Sequence, residues 1–214
     1  GEDSGAQGIN GIQADNLQAS AGAVYFFEGT GGTAASFVYG SPVYIKAANT
    51  KAGDQFGSAV GVAESTGGAT LVVGVPRNDG TSGSGVQQPG PVNAAPGDAQ
   101  MGAAYVFVRN SGVWSQQAFV TAHVKPAPSS FFNFGYSIAI SDDGNTFVAG
   151  APGDSLTFRG VFAGQIPAPG EPLKPYSGAA SVFTRANGIW TLKNYLKAPN
   201  PDGESPPLSG DSFS

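Results

Sequence analysis

The chain repeats itself, and this limits its possible folds more than any other property of the sequence. "GAVYFF" begins at Gly22, "GAAYVF" at Gly102 and "GAASVF" at Gly178, spacings of 80 and 76 residues. "DQFGSAVGVA", containing Phe56-Gly57, and "FNFGYSIAIS", containing Phe134-Gly135, lie 78 apart, and "GDSFS" places Phe213 a further 79 along. "LVVGVP", with Gly74 and Pro76, matches "FVAGAP", with Gly150 and Pro152, at a spacing of 76. "SGVWSQQAFVTA" and "NGIWTLKNYLKA" align Trp114 with Trp190. Four segments returning in fixed order define a unit of roughly 77 residues.

Each segment has the length and pattern of a strand. In "YSIAIS", Ile138 and Ile140 share one face while Ser137, Ala139 and Ser141 share the other, the period-2 alternation of a pleated strand. In chain order the strands are A ("FGYSIAIS"), B ("NTFVAGAP"), C ("GAASVFTRA") and D ("WTLKNYLKA"). "DDGN" between A and B, and "NSG" or "ANG" between C and D, are hairpin turn sequences. The 33 Gly and 16 Pro break the apolar residues into short runs, and no window keeps a helical spacing over three turns. The expected fold is all-β with almost no helix, built from four-stranded antiparallel blades.

Phe-Gly opening strand A, Gly-Ala-Pro closing strand B and a "GAVYVF"-like strand C resemble the FG-GAP repeat of integrin-α-type β-propellers, especially its bacterial surface-protein form. The resemblance spans nearly the whole chain and implies one partial β-propeller over 1–214, with repeat units at about 1–76, 77–152 and 153–214. Both ends fall inside a blade on this plan, leaving about ten strands, or roughly two and a half blades. Four blades would need about 310 residues. The expected partners are therefore the remaining blades of a longer chain or further copies of this one.

The resemblance also assigns roles to the repeated residues. Phe56, Gly57, Phe134 and Gly135 would pack between neighbouring blades, Gly74 and Gly150 would suit a crowded strand end, and Pro76 and Pro152 would stop the ladder for want of an N–H. Trp114 and Trp190, at one place in two repeats, are expected to pack rather than to stack on sugars. Integrin-type blades hold calcium in the A–B turn. Here Asp142, Asp143 and Asn145 are the residues such an ion would use, and the other turn offers only Glu64. These turns are short and poor in carboxylates for an ion that needs six to eight oxygens, so no cofactor is expected.

The formal charge of −5 and the scattering of ten Lys and Arg exclude a nucleic-acid footprint. No run of eighteen apolar residues suggests membrane insertion. Zero Cys excludes a disulfide framework and thiolate metal sites without fixing the compartment, whereas only 12% charged residues with abundant Gly, Ser, Thr, Asn and Gln suit an extracellular or cell-surface setting. His123 is the only His, too little for a triad or a His-metal cluster.

The long B–C connections, 77–101 and 153–177, share one face with the D–A connections, and that face is the candidate for recognition. Its candidate binding residues are Glu2, Asp3, Asp15, Asn16, Asn78, Asp79 and Asp154, with Asp98 and Glu171 further along. Such residues equally suit solvated Asx-turns. Phe158, Val161, Phe162 and Ile166 either present a contact patch or fold back over the blade. The expected function is a non-catalytic binding or structural module that recognises a protein or glycan. The alternatives are a propeller attached to a larger secreted enzyme and a subunit of a self-assembling surface structure.

Overall fold

The computed structural model describes residues 2–30, 36, 38–65, 68–79, 85–88, 101–122, 131–166 and 177–199. Phe213, His123, Asp98 and Glu171 lie outside the described residues. Every regular element described is a strand. Among the described residues, no helix is long and apolar enough to cross a membrane.

The first repeat contributes β1 (Val24–Phe26), β2 (Gly29–Thr30), β3 (Val38–Tyr39) and β4 (Val43–Ile45). β1 pairs with β4, and β2 with β3, in two antiparallel two-stranded sheets. The middle repeat supplies β5 (Ala59–Ser65), β6 (Gly68–Val75), β7 (Val86–Gln87), β8 (Ala103–Asn110) and β9 (Val113–Thr121), ordered β5-β6-β8-β9-β7. The last repeat supplies β10 (Ser137–Ile140), β11 (Thr146–Ala151), β12 (Gly160–Ala163), β13 (Ala179–Ala186) and β14 (Ile189–Lys197), ordered β10-β11-β13-β14-β12. The two larger sheets thus share one topology.

One expectation is corrected. The larger sheets have five strands, not four, because each B–C connection returns a short strand, β7 or β12, to the outer edge of strand D. The first repeat follows suit with a bridge between Ile9 and Ile45. Its C–D connection carries the short antiparallel pair of β2 and β3.

The central strands β6 and β8 of the middle sheet are buried on both faces, which explains why they read as continuous apolar runs. On one face Leu71, Val73, Tyr105, Phe107 and Phe119 pack against Ile45, Ala47 and Phe56. On the other, Val72, Val106, Ala118 and Val120 meet Phe134, Phe147, Phe183 and Trp190 of the last sheet. Three layers therefore stack in chain order. Both large sheets carry a bulge in strand D, where Gln117 and Lys193 are the unpaired extra residues.

Candidate functional site

Glycine sets the distance between layers. Gly102 and Phe134 form a parallel bridge, and Phe134 N–H donates to Met101 O at 3.0 Å. One layer earlier Phe56 N–H donates to Ala21 O at 2.8 Å, beside Gly22. A Cβ on Gly22 or Gly102 would sit 2.2 Å from the carbonyl oxygen of Phe56 or Phe134, so no other residue fits. Gly135, at φ +82°, would place a Cβ 2.3 Å from Ala103 O, and Gly74 one 2.0 Å from Gly135 O. Gly57, at φ +91°, lies against Ala23 O, and Gly150 against Ser137 Oγ. The phenylalanines complete the seam edge-on: Phe56 meets Phe107, and Phe134 meets Phe183, each with ring centroids 6.2 Å apart. β6 and β11 end at Val75 and Ala151, immediately before Pro76 and Pro152.

The acidic positions that open the B–C connections turn inward. Asp154, 2% exposed, accepts from Lys197 Nζ at 3.0 Å through Oδ1 and from Tyr195 Oη at 2.8 Å through Oδ2. Ser177 Oγ accepts a second Lys197 bond at 2.7 Å. Burial lowers the Lys197 ammonium pKa against the opposing pull of Asp154, and burial with the same carboxylate raises the Tyr195 phenol.

The first repeat has the same arrangement, with Lys46 Nζ 2.5 Å from Glu2 Oε2 and Tyr44 Oη donating to Glu2 Oε1 at 2.8 Å. Burial alone would raise the Glu2 carboxyl, but donors from Lys46, Ser4 and Tyr44 hold it below its usual range. The middle repeat replaces the whole set with neutral residues: Asn78 for the acid, Phe119 for the tyrosine and Thr121 for the lysine. Glu2 and Asp154 are thus internal ion-pair partners. Asp3 and Asp15 cap backbone amides instead, Asp3 at Ser20 and Asp15 at Gly5 and Leu17. Asn16 is exposed beside them.

The A–B turn of the last repeat does not fit a calcium ion. Asp143 Oδ1 accepts from Ser141 Oγ (2.5 Å) and Asn145 N–H (2.9 Å), while Asn145 Oδ1 accepts from Arg185 Nε (3.0 Å). These bonds hold the Asp143 carboxyl below its usual range, and the turn supplies far fewer than the six to eight oxygens a calcium ion needs. Arg185 also donates to Gln117, Thr70 and Gly144 O and lies over the Trp190 ring at 5.0 Å. Trp190 Nε1 donates to Gln117 at 2.8 Å. Arg109, one repeat earlier, sits over Phe26 and Trp114 and pairs with Glu28 at 2.8 Å. Trp114 and Trp190 are therefore seam residues, 6% and 1% exposed. Among the described residues, Trp114 Nε1 has no hydrogen-bond partner, and the residue matching Gln117 there is Pro42.

The apolar B–C residues divide. Phe158, Phe162 and Ile166 fold back onto Leu156, Ala179 and Tyr195, with the Phe158 and Phe162 rings 5.6 Å apart, whereas Val161 is 67% exposed.

Sequence reasoning missed two groups on this face. A polar cluster lies under the middle repeat, where Asp54, 2% exposed, accepts from Lys51 N–H at 3.0 Å and from Asn78 Nδ2 at 3.4 Å. Tyr105 Oη donates to Asn49 Oδ1 beside it. Among the described residues, Asn78 Oδ1 and Asn49 Nδ2 are buried without a hydrogen-bond partner, one an acceptor and one a donor. Burial pushes the Asp54 carboxyl up to about 6 against the pull of Lys51 N–H, and the Asp79 charge adds to the rise. The other group is exposed: Ile12 and Leu17 on the first B–C connection are 80% and 78% accessible, and Phe131 on the D–A connection that leads into the last repeat is 43%.

Among the described residues, no three carboxylate or imidazole side chains converge as metal ligands. No family model and no curated protein sequence matches this chain.

Proposed function

We propose that the chain is part of an FG-GAP-type β-propeller acting as a non-catalytic, extracellular or cell-surface module that recognises a protein partner through its B–C and D–A connections. One observation carries the reading. Glu2, Asp154 and the two tryptophans are used internally, yet Ile12, Leu17 and Phe131 stand exposed on the connections that the strand order sends to one end of the sheets. Exposed large apolar side chains on connections held by a rigid scaffold are what a protein interface uses.

The test is binding of the purified chain and an Ile12→Ser/Leu17→Ser variant to an array of extracellular proteins and glycans, with thermal melting as the check on folding. The expected result is a protein target that the variant loses at an unchanged Tm. Retention of that target by the folded variant, or a signal confined to glycans, refutes the assignment.

A further inference from the structure

We infer that the Asp154 carboxyl and the Lys197 amine condense to an amide, a side-chain cross-link between the start of the last B–C connection and the end of strand D. The bond does not depend on what the B–C and D–A connections recognise.

The ion pair described above is the reactant. Lys197 Nζ lies 3.0 Å from Asp154 Oδ1, and the two side chains are 0% and 2% exposed. The fold thus holds the amine against the carboxyl group, and the entropy of bringing them together is already met. Burial draws Lys197 toward its neutral, nucleophilic form, against the pull of Asp154. The apolar cluster of Leu156, Ala179 and Tyr195, with Phe158, Phe162 and Ile166 packed on it, keeps bulk water off the pair. That favours the direction in which water is released.

The step balances without any further reagent. One proton passes from Nζ to Oδ1, leaving a neutral amine beside a neutral acid. The Nζ lone pair attacks Cγ, and the charge falls on Oδ2, which already accepts from Tyr195 Oη at 2.8 Å. The Cγ–Oδ1 bond then breaks. Oδ1, to which Leu156 N–H donates at 2.9 Å, departs as water with the proton it holds and a second one from Nζ.

The surroundings match the product. Oδ2 keeps its tyrosine donor, and the one remaining N–H meets Ser177 Oγ, 2.7 Å from Nζ. Ser177 is set to accept there, because its own proton is directed at the carbonyls of Asp154 and Leu156, each 3.0 Å away. An ammonium has three N–H groups at this place for two acceptors among the described residues.

The other repeats limit the reaction to one site. Glu2 has the same tyrosine, Tyr44, on its carboxylate, but it is 20% exposed. Against the effect of burial, donors from Lys46, Ser4 and Tyr44 hold its carboxyl below its usual range. Glu2 therefore stays charged, and a carboxylate does not yield to an amine. The middle repeat has Thr121 in place of the lysine.

The test is intact mass and peptide mapping of chain held folded at neutral pH, against chain recovered unfolded and kept in guanidinium chloride. Expected is a species lighter by one water that accumulates with time only in the folded chain. Its digest should contain one branched peptide joining the segments around Asp154 and Lys197. Tyr195→Phe, which installs the residue type of Phe119, should slow the accumulation about 100-fold, and Lys197→Thr should abolish it. Folded wild-type chain that keeps its full mass overturns the inference. So does a loss of water mapped to a linear peptide, since cyclisation at an Asp-Gly step such as Asp143-Gly144 gives the same mass. A branched peptide joining Glu2 to Lys46 in place of Asp154 to Lys197 overturns it as well. Unchanged accumulation in Tyr195→Phe, with thermal melting as the check on folding, refutes the part given to Tyr195.

Discussion

Asp54→Asn should make the protein more stable at neutral pH and flatten its response to pH. The Asp54 carboxyl is buried among Asn78, Asn49 and Tyr105, with Asp79 nearby and Lys51 Nζ placed 3.9 Å from Asp79 rather than on Asp54. Its pKa stands at about 6 against an ordinary 3.8. A folded-state pKa above the unfolded value means that the native state holds the proton more tightly. The associated stability is complete below the unfolded value and disappears as pH rises through about 6. At ~1.4 kcal/mol per pH unit the whole effect is about 3 kcal/mol, of which about 2 kcal/mol falls between roughly pH 4.5 and 7.5. Glu2 and Asp143 have lowered pKa values and act in the opposite sense, losing stability on acidification. The informative quantity is therefore the difference between wild type and variant. Urea unfolding of both proteins across that range should show the variant gaining about 2 kcal/mol on wild type from the acid end to the neutral end. Parallel profiles would refute the argument that burial and Asp79 disfavour the charged form.

The buried ion pair gives a second prediction. Lys197→Thr alone leaves the Asp154 carboxylate buried without its ammonium and should cost about 3–5 kcal/mol in urea unfolding. Asp154→Asn/Tyr195→Phe/Lys197→Thr together install the residues of the middle repeat at the same three positions and should recover most of that loss. Failure of the triple variant to exceed the single one would show that the two pockets are not equivalent. Thirdly, Gly135→Ala puts a Cβ against the backbone at Ala103 O, while Gly112→Ala, also at positive φ, meets nothing within 4 Å. Melting should show about 1 kcal/mol for Gly112→Ala and at least about twice that for Gly135→Ala. Equal costs would mean that the seam yields to the added methyl.

The repeat was legible in the sequence because it rests on contacts that only a few residue types permit. Gly22 and Gly102 lie under a phenylalanine carbonyl, and Gly74 under the Gly135 carbonyl. Each therefore appears as an invariant letter at a fixed spacing. The fifth strands were not legible, since β7 is two residues and β12 four, too short for a period within Gly-rich connections. Nor were the ion pairs. Glu2 and Lys46 lie 44 residues apart and Asp154 and Lys197 lie 43 apart, and a lysine near the end of strand D looks like an ordinary exposed one. Asp54 was hidden because its shift arises from burial, which its neighbours "KAGDQFG" do not advertise. Phe158 and Phe162 stood open between two outcomes, and packing on Tyr195 decided them.

The bulges in strand D give one backbone device two chemistries. In the middle sheet the extra residue, Gln117, reaches across the seam as an acceptor for Arg185 and Trp190. The same bulge in the last sheet carries Lys193, which is exposed and can only donate. Sheets that share a strand order and a bulge therefore present opposite hydrogen-bonding characters at equivalent points.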